Sequence, residues 1–119
     1  MRIKTIFLAL ALTATAGAAS AEKLCGWIEN PTPGNWWLTD RDGSWILAAQ
    51  GAAEAEGMDL IGDISAGDYV ATNGNYGYGC ACVDAEVDVS ESRIVSISSF
   101  KQLPLKTCKR DKALKAPSE

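Results

Sequence analysis

Thr72-Asn-Gly-Asn-Tyr-Gly-Tyr-Gly-Cys-Ala-Cys-Val-Asp84, continued by Ala85-Glu-Val-Asp-Val89, alternates at period two and holds two of the four cysteines of the 119-residue chain. In an extended strand, successive side chains point to opposite faces. Tyr76, Tyr78, Cys80, Cys82, Asp84, Glu86 and Asp88 then share one face. Gly77, Gly79, Ala81, Val83, Ala85, Val87 and Val89 share the other, which is small and apolar throughout, as a core face should be. The first face changes halfway from aromatic and sulfur to carboxylate. This predicts a long strand covered on both sides in its first half and wetted on one side in its second. Gly77 and Gly79 weaken an ordinary strand, so they mark a bulge or a close backbone approach.

The chain starts with a basic segment (Arg2, Lys4), an apolar run from Ile6 to Ala16 and the small residues Ala19-Ser20-Ala21. These are the three parts of a secretory signal peptide cleaved after residue 21. The apolar run is shorter than the roughly 20 residues of a spanning helix, so no membrane insertion is expected. Cys25 is separated from the cleavage point by Glu22, Lys23 and Leu24, which argues against a lipid-anchored mature form. Residues 22–108 are read as a single β domain and 109–119 as a frayed C-terminal tail. Loss of Arg2 and Lys4 leaves nine basic against fifteen acidic residues, a mature net charge of −6. Such a surface repels nucleic acid and anionic lipid; it suits a basic partner, and it also serves plain solubility.

Export puts the four cysteines where disulfides persist, and two bridges are expected. Cys80 and Cys82 lie on one face of one strand, too far apart for the roughly 3.5–4.5 Å between Cβ atoms that a bridge requires. Each must therefore take Cys25 or Cys108. If Val89-Ser-Glu-Ser92 reverses the chain, residues after Phe100 run back toward Cys80. That favours Cys25–Cys82 with Cys80–Cys108 and keeps Cys25–Cys80 with Cys82–Cys108 as the alternative.

Outward from the central strand, Leu24–Glu29 reads as a first strand, ended by the turn cluster Asn30-Pro-Thr-Pro-Gly34. Asn35–Thr39 and Ser44–Ala48 flank Asp40-Arg-Asp-Gly43, a hairpin signal. Ala48–Glu56 is either a helical turn or two or a long loop, bounded by Gly51 and Gly57. Met58–Ile61 is read as a short strand, Ser65–Asp68 as a turn, and Tyr69–Thr72 and Arg93–Phe100 as further strands. About six short strands with turn residues between them make an all-β, disulfide-stapled barrel or sandwich. The oligonucleotide/oligosaccharide-binding (OB-like) barrel is favoured, because it closes a sheet of this size without long edges.

The chain contains no histidine, which removes the commonest general base and the commonest metal ligand. It also lacks a G-x-S-x-G, a P-loop and a dinucleotide fingerprint. A hydrolase would have to rely on carboxylate pairs, with Asp40/Asp42 and Asp59/Asp63 available. One C-x-C and two distant cysteines do not form the paired knuckles of a zinc site. A redox motif of the C-x-x-C kind is likewise missing. Asp40-Arg-Asp-Gly-Ser44 starts like a calcium loop, but the closing acid would fall on Gly51, so the hairpin reading wins. Asp84, Glu86 and Asp88 are read as a wet face or a guard against edge pairing. No catalytic residue, metal or cofactor is assigned.

The aromatic residues carry the functional reading, although tryptophans packed in the core are the simpler one. Adjacent Trp36 and Trp37 place one indole on each face of their strand. Planar rings beside amides suit a sugar groove or a protein-interface hot spot. The candidate ligand-binding set is Trp36, Trp37, Asn75, Tyr76 and Tyr78.

The runs Cys25-Gly-Trp-Ile-Glu-Asn-Pro-Thr-Pro-Gly-Asn-Trp-Trp-Leu-Thr-Asp40 and Asn73-Gly-Asn-Tyr-Gly-Tyr-Gly-Cys-Ala-Cys82 resemble an uncharacterised bacterial family of small exported proteins, classed only as a domain of unknown function. The likeness extends through Leu103-Pro-Leu-Lys-Thr-Cys108. It implies a Gram-negative source and a periplasmic or secreted location, and it brings no activity. The expectation is a non-enzymatic binding module for a glycan or envelope component. A protein-interaction or inhibitor domain for a basic partner such as a lysozyme is the alternative, and a carboxylate hydrolase the weaker one.

Overall fold

The alternating stretch forms β5 (Tyr76–Asp88), and the sheet is built on its two edges. The computed structural model describes residues 20–117, so residues 1–19 of the expected leader lie outside the described residues. One edge of β5 pairs antiparallel with β1 (Ser20–Thr32), from Ser20 opposite Val87 to Asn30 opposite Gly77. The other edge is shared in tandem. There β4 (Tyr69–Asn73) takes Tyr76 to Gly79, and β6 (Arg93–Leu103) takes Cys80 to Asp88. On its far side β1 carries β2 (Asn35–Asp40), which carries β3 (Gly43–Ala48), and β3 meets β6 in parallel at Ile46 and Arg93. The order β1-β2-β3-β6-β5 closes back on β1. The domain is therefore a small barrel, as favoured, with β4 added at one end of the closing strand.

Local chemistry explains the joints. Asp40 is buried, and its Oδ1 accepts from the N–H groups of Asp42 (2.8 Å) and Gly43 (3.2 Å), folding the β2–β3 hairpin as an Asx turn. Gly26 lets β1 and β2 touch: a Cβ there would lie 2.0 Å from the carbonyl oxygen of Thr39. The segment after β3 is the loop alternative, not the helical one. It returns to fill the gap between β3 and β6, where Ala55 N–H donates to Leu47 (2.8 Å) and Glu56 bridges Val95 and Ile97 (3.0 and 2.8 Å). Met58–Leu60 is a 3₁₀ turn rather than the expected strand. Gly57 and Gly62, at φ 87° and 65°, bend the chain on either side of it and leave no room for an extended ladder.

Two apolar clusters result. Inside the barrel, Leu24, Ile28, Leu38, Leu47, Val83, Val87, Ile94 and Ile97 meet Trp45, with Trp36, Met58, Tyr69 and Phe100 packed against them. Outside it, Trp27, Tyr78 and Cys80 on the opposite face of β1 and β5 are capped by a short helix, α1 (Leu105–Arg110), through Leu105 and Cys108. β5 is thus buried on both faces in its first half and partly wetted beyond Ala81. The bridges are Cys25–Cys82, between directly opposed residues of β1 and β5, and Cys80–Cys108, which ties α1 to β5. Past Cys108 the chain stays with the domain, since Leu114 packs against the outer cluster.

Candidate functional site

Side chains that point away from the barrel interior form rows across the strands. Trp36 and Trp37 separate as adjacent strand residues must: Trp36 packs against the interior cluster, and Trp37 faces the other way. Trp37 lies between Glu29 on β1 and Ile46 on β3, and Glu29 in turn lies opposite Tyr78 on β5. The next row runs Cys80, Trp27, Thr39, Ser44.

Glu29 is the polar centre of this surface. Thr39 Oγ1 donates to Glu29 Oε2 at 2.8 Å, and Trp37 stands directly opposite Glu29 in the β1–β2 register. A threonine hydroxyl has a single proton, so the 2.8 Å contact between Thr39 Oγ1 and Ser44 Oγ is donated by Ser44. The relay Ser44, Thr39, Glu29 therefore fixes the orientation of the carboxylate. Partial burial pushes the Glu29 pKa up, and the Thr39 hydrogen bond and the neighbouring Trp37 side chain pull against that shift. An ionised carboxylate accepts about four hydrogen bonds, of which Thr39 Oγ1 takes one.

The other predicted site residues are divided. Tyr78 is 7% exposed and stands edge-on to Trp27, ring centroids 5.3 Å apart, beneath Leu105 and Cys108. It is a core residue and not an accessible ligand platform. Trp36 is likewise withdrawn from this face. Asn75 is exposed in the β4–β5 turn, where its carbonyl accepts from the Tyr69 hydroxyl at 2.7 Å. Tyr76 is half-buried and shares the Tyr78 face of β5 by alternation, one step beyond the Glu29–Tyr78 pair. Only β1 separates it from the strand of Trp37, which puts the two backbones about 10 Å apart from the usual interstrand spacing. The structure thus sets Trp37 opposite Glu29, a carboxylate that the sequence reading passed over, with Tyr76 on the same face of β5 and Asn75 in the turn beyond it. The signal was present in β1: Cys25, Trp27 and Glu29 alternate with Leu24, Gly26 and Ile28.

One carboxylate of each pair considered for hydrolysis is engaged in a turn. Asp40 folds the hairpin, and Asp63 Oδ1 accepts from Ser65 N–H (3.0 Å) and Oγ (2.6 Å). Of the acidic row, Asp88 caps a 3₁₀ turn through Ser90 Oγ (2.6 Å) and Glu91 N–H (3.3 Å). The hydrogen bond from Ser90 holds its pKa below the ordinary value. Asp84 accepts from Ser99 Oγ. Among the described residues, no three His, Cys, Asp or Glu side chains converge as metal ligands.

The family described as "Protein of unknown function (DUF4087)" matches residues 19–115. No curated protein and no solved structure matches the chain.

Proposed function

The chain belongs to that family, and from this premise we propose that it is a non-enzymatic binding module whose ligand is a glycan of the cell envelope. Its two disulfides are bonds of an oxidising compartment; the periplasm or the exterior is the finer reading. The observation that carries the proposal is the Trp37–Glu29 pair on the outer face of β1 and β2. An indole stands directly across the sheet from a carboxylate that Thr39 and Ser44 orient. A sugar offers an apolar face for the ring and hydroxyls for the carboxylate, and Tyr76 stands one strand further on. The engagement of Asp40 and Asp63 in turn hydrogen bonds supports a binding role over hydrolysis.

The test is a tryptophan-fluorescence titration of the mature protein with peptidoglycan fragments. A saturable change is expected that Trp37→Ala abolishes and Glu29→Gln weakens by roughly 10- to 100-fold, the scale of a hydrogen bond to a charged group. Undiminished affinity in a folded Trp37→Ala protein refutes the proposal.

A second reading rests on a specific feature. Ile46, directly opposite Trp37, is 39% exposed, and Val95 on β6 is 41% exposed. An aromatic flanked by exposed aliphatics on an acidic domain also fits a basic protein partner. A stoichiometric complex with a cationic lysozyme, lost in Ile46→Asp and with no response to sugars, selects that reading.

A further inference from the structure

The two disulfides differ in access and in electrostatic setting. Cys80 and Cys108 are 1% and 2% exposed, whereas Cys25 is exposed and Cys82 half-buried. The exposed bridge lies in a row that runs Lys101 on β6, Cys82 on β5 and Cys25 on β1, each directly opposite the next. Side chains opposite one another on one sheet face are neighbours, so Lys101 is the cross-strand neighbour of Cys82. A hollow of about 430 Å³ on that side is lined by Lys23, Cys82, Asp84, Phe100 and Lys101. On the far side of Cys25 a second hollow, about 450 Å³, is bounded by Glu22, Lys23, Asp40, Arg41, Asp42 and Asp111. Among its lining groups Arg41 pairs with Asp111 at 3.4 Å and Asp40 is held in the hairpin turn, which leaves Glu22 and Asp42 against Lys23.

From this arrangement we infer that Cys25–Cys82 is a thiol–disulfide exchange site that accepts electrons from a cationic dithiol. Exchange is an in-line displacement in which rate depends on access to the attacked sulfur and on the stability of the departing thiolate. Cys25 is the more exposed of the two cysteines, and it lines the second hollow. The incoming thiolate bonds to Cys25 Sγ, the Cys25–Cys82 bond breaks, and the electron pair leaves on Cys82 Sγ beside Lys101. The second thiol of the dithiol then attacks the mixed disulfide and releases Cys25. The reductant ends as a disulfide and its two protons end on Cys25 and Cys82, a balanced two-electron transfer. The acidic hollow favours a positively charged donor. The chain carries no C-x-x-C of its own, so it acts as the oxidant and not as the catalyst of exchange. The barrel survives the step because β1 and β5 stay paired on both sides of the bridge, with Leu24, Ile28, Val83 and Val87 buried.

The experiment treats the oxidised mature protein with limiting cysteamine, quenches with acid, alkylates free thiols and maps the peptides without reduction. The expected product carries cysteamine on Cys25 and alkyl on Cys82, with Cys80–Cys108 intact and the near-ultraviolet circular dichroism of the Trp27–Tyr78 pair unchanged. Cysteamine is expected to outpace mercaptoacetate at matched thiolate concentration by about tenfold, the low end of electrostatic steering. Lys101→Gln slows the opening by roughly three- to tenfold through its effect on the leaving thiolate, and Lys101→Arg restores it. The inference is overturned by an adduct on Cys82, by Cys80–Cys108 opening first or at the same rate, or by a Lys101→Gln rate equal to wild type.

Discussion

Replacing each bridge by a pair of alanines tests which term dominates disulfide stability in this domain. By chain entropy alone, the longer loop matters more. The Cys25–Cys82 bridge spans 57 residues and Cys80–Cys108 spans 28, so closing them is worth about 4.2 and about 3.6 kcal/mol. Packing reverses the order. Cys80 and Cys108 are buried against Trp27, Tyr78 and Leu105, and deleting two buried sulfurs adds about 1 kcal/mol each in lost contacts and cavity. Cys25 and Cys82 are exposed and half-buried, so their replacement adds little beyond the entropy. The expected loss is therefore about 5–6 kcal/mol for Cys80→Ala/Cys108→Ala and about 4 kcal/mol for Cys25→Ala/Cys82→Ala. Urea unfolding, with midpoints compared at equal m-value, reads the difference. Near-ultraviolet circular dichroism should lose the Trp27–Tyr78 signal in the first variant only. If Cys25→Ala/Cys82→Ala is the less stable protein, loop closure outweighs packing and the reasoning fails.

Gly26→Ala would set a Cβ 2.0 Å from a main-chain oxygen of the neighbouring strand, an atom that cannot swing aside. It should cost at least about 3 kcal/mol or prevent folding; a thermal midpoint close to wild type would refute the contact. Glu29 has a raised pKa in the folded protein, so its charge opposes folding above that folded value. The penalty fades as pH falls through the folded pKa toward the unfolded one. Solvent still reaches the carboxylate and screens it. Glu29→Gln should thus equal wild type or exceed it by at most about 1 kcal/mol at pH 7, with the gap shrinking on acidification. A gap that widens toward low pH contradicts the assignment.

The strand alternation of β5 was legible because each residue had a clear preference for core or water, and the hairpin at Asp40–Gly43 because its turn chemistry is local. Geometry along one strand excluded a Cys80–Cys82 bridge, and the chain reversal after Val89 favoured one of the two pairings left. The lost parts depended on distant partners. Tyr78 looked like a ligand platform because the neighbouring glycines made its surroundings seem open, whereas α1 covers it from 27 residues downstream. That helix is only six residues long, announced by Pro104 before it and by Lys109 and Arg110 in its last turn. Glu29 was hidden for another reason: a carboxylate in a strand reads as solvated surface until β2 brings Thr39 and Trp37 alongside.

The tandem sharing of one edge of β5 by β4 and β6 bears on how the chain reaches its native state. On one edge β5 pairs with residues 47 to 67 positions upstream, and on the other with its sequence neighbours β4 and β6. The local hairpins can form early, but the barrel waits for β1, whose long loop must close before any contact rewards it. Amides of β5 should consequently be the slowest to exchange with deuterium, and those of the Ala48–Glu56 loop among the fastest. Folding speed is thus expected to depend on two long-range closures, of β1 on β5 and of β3 on β6.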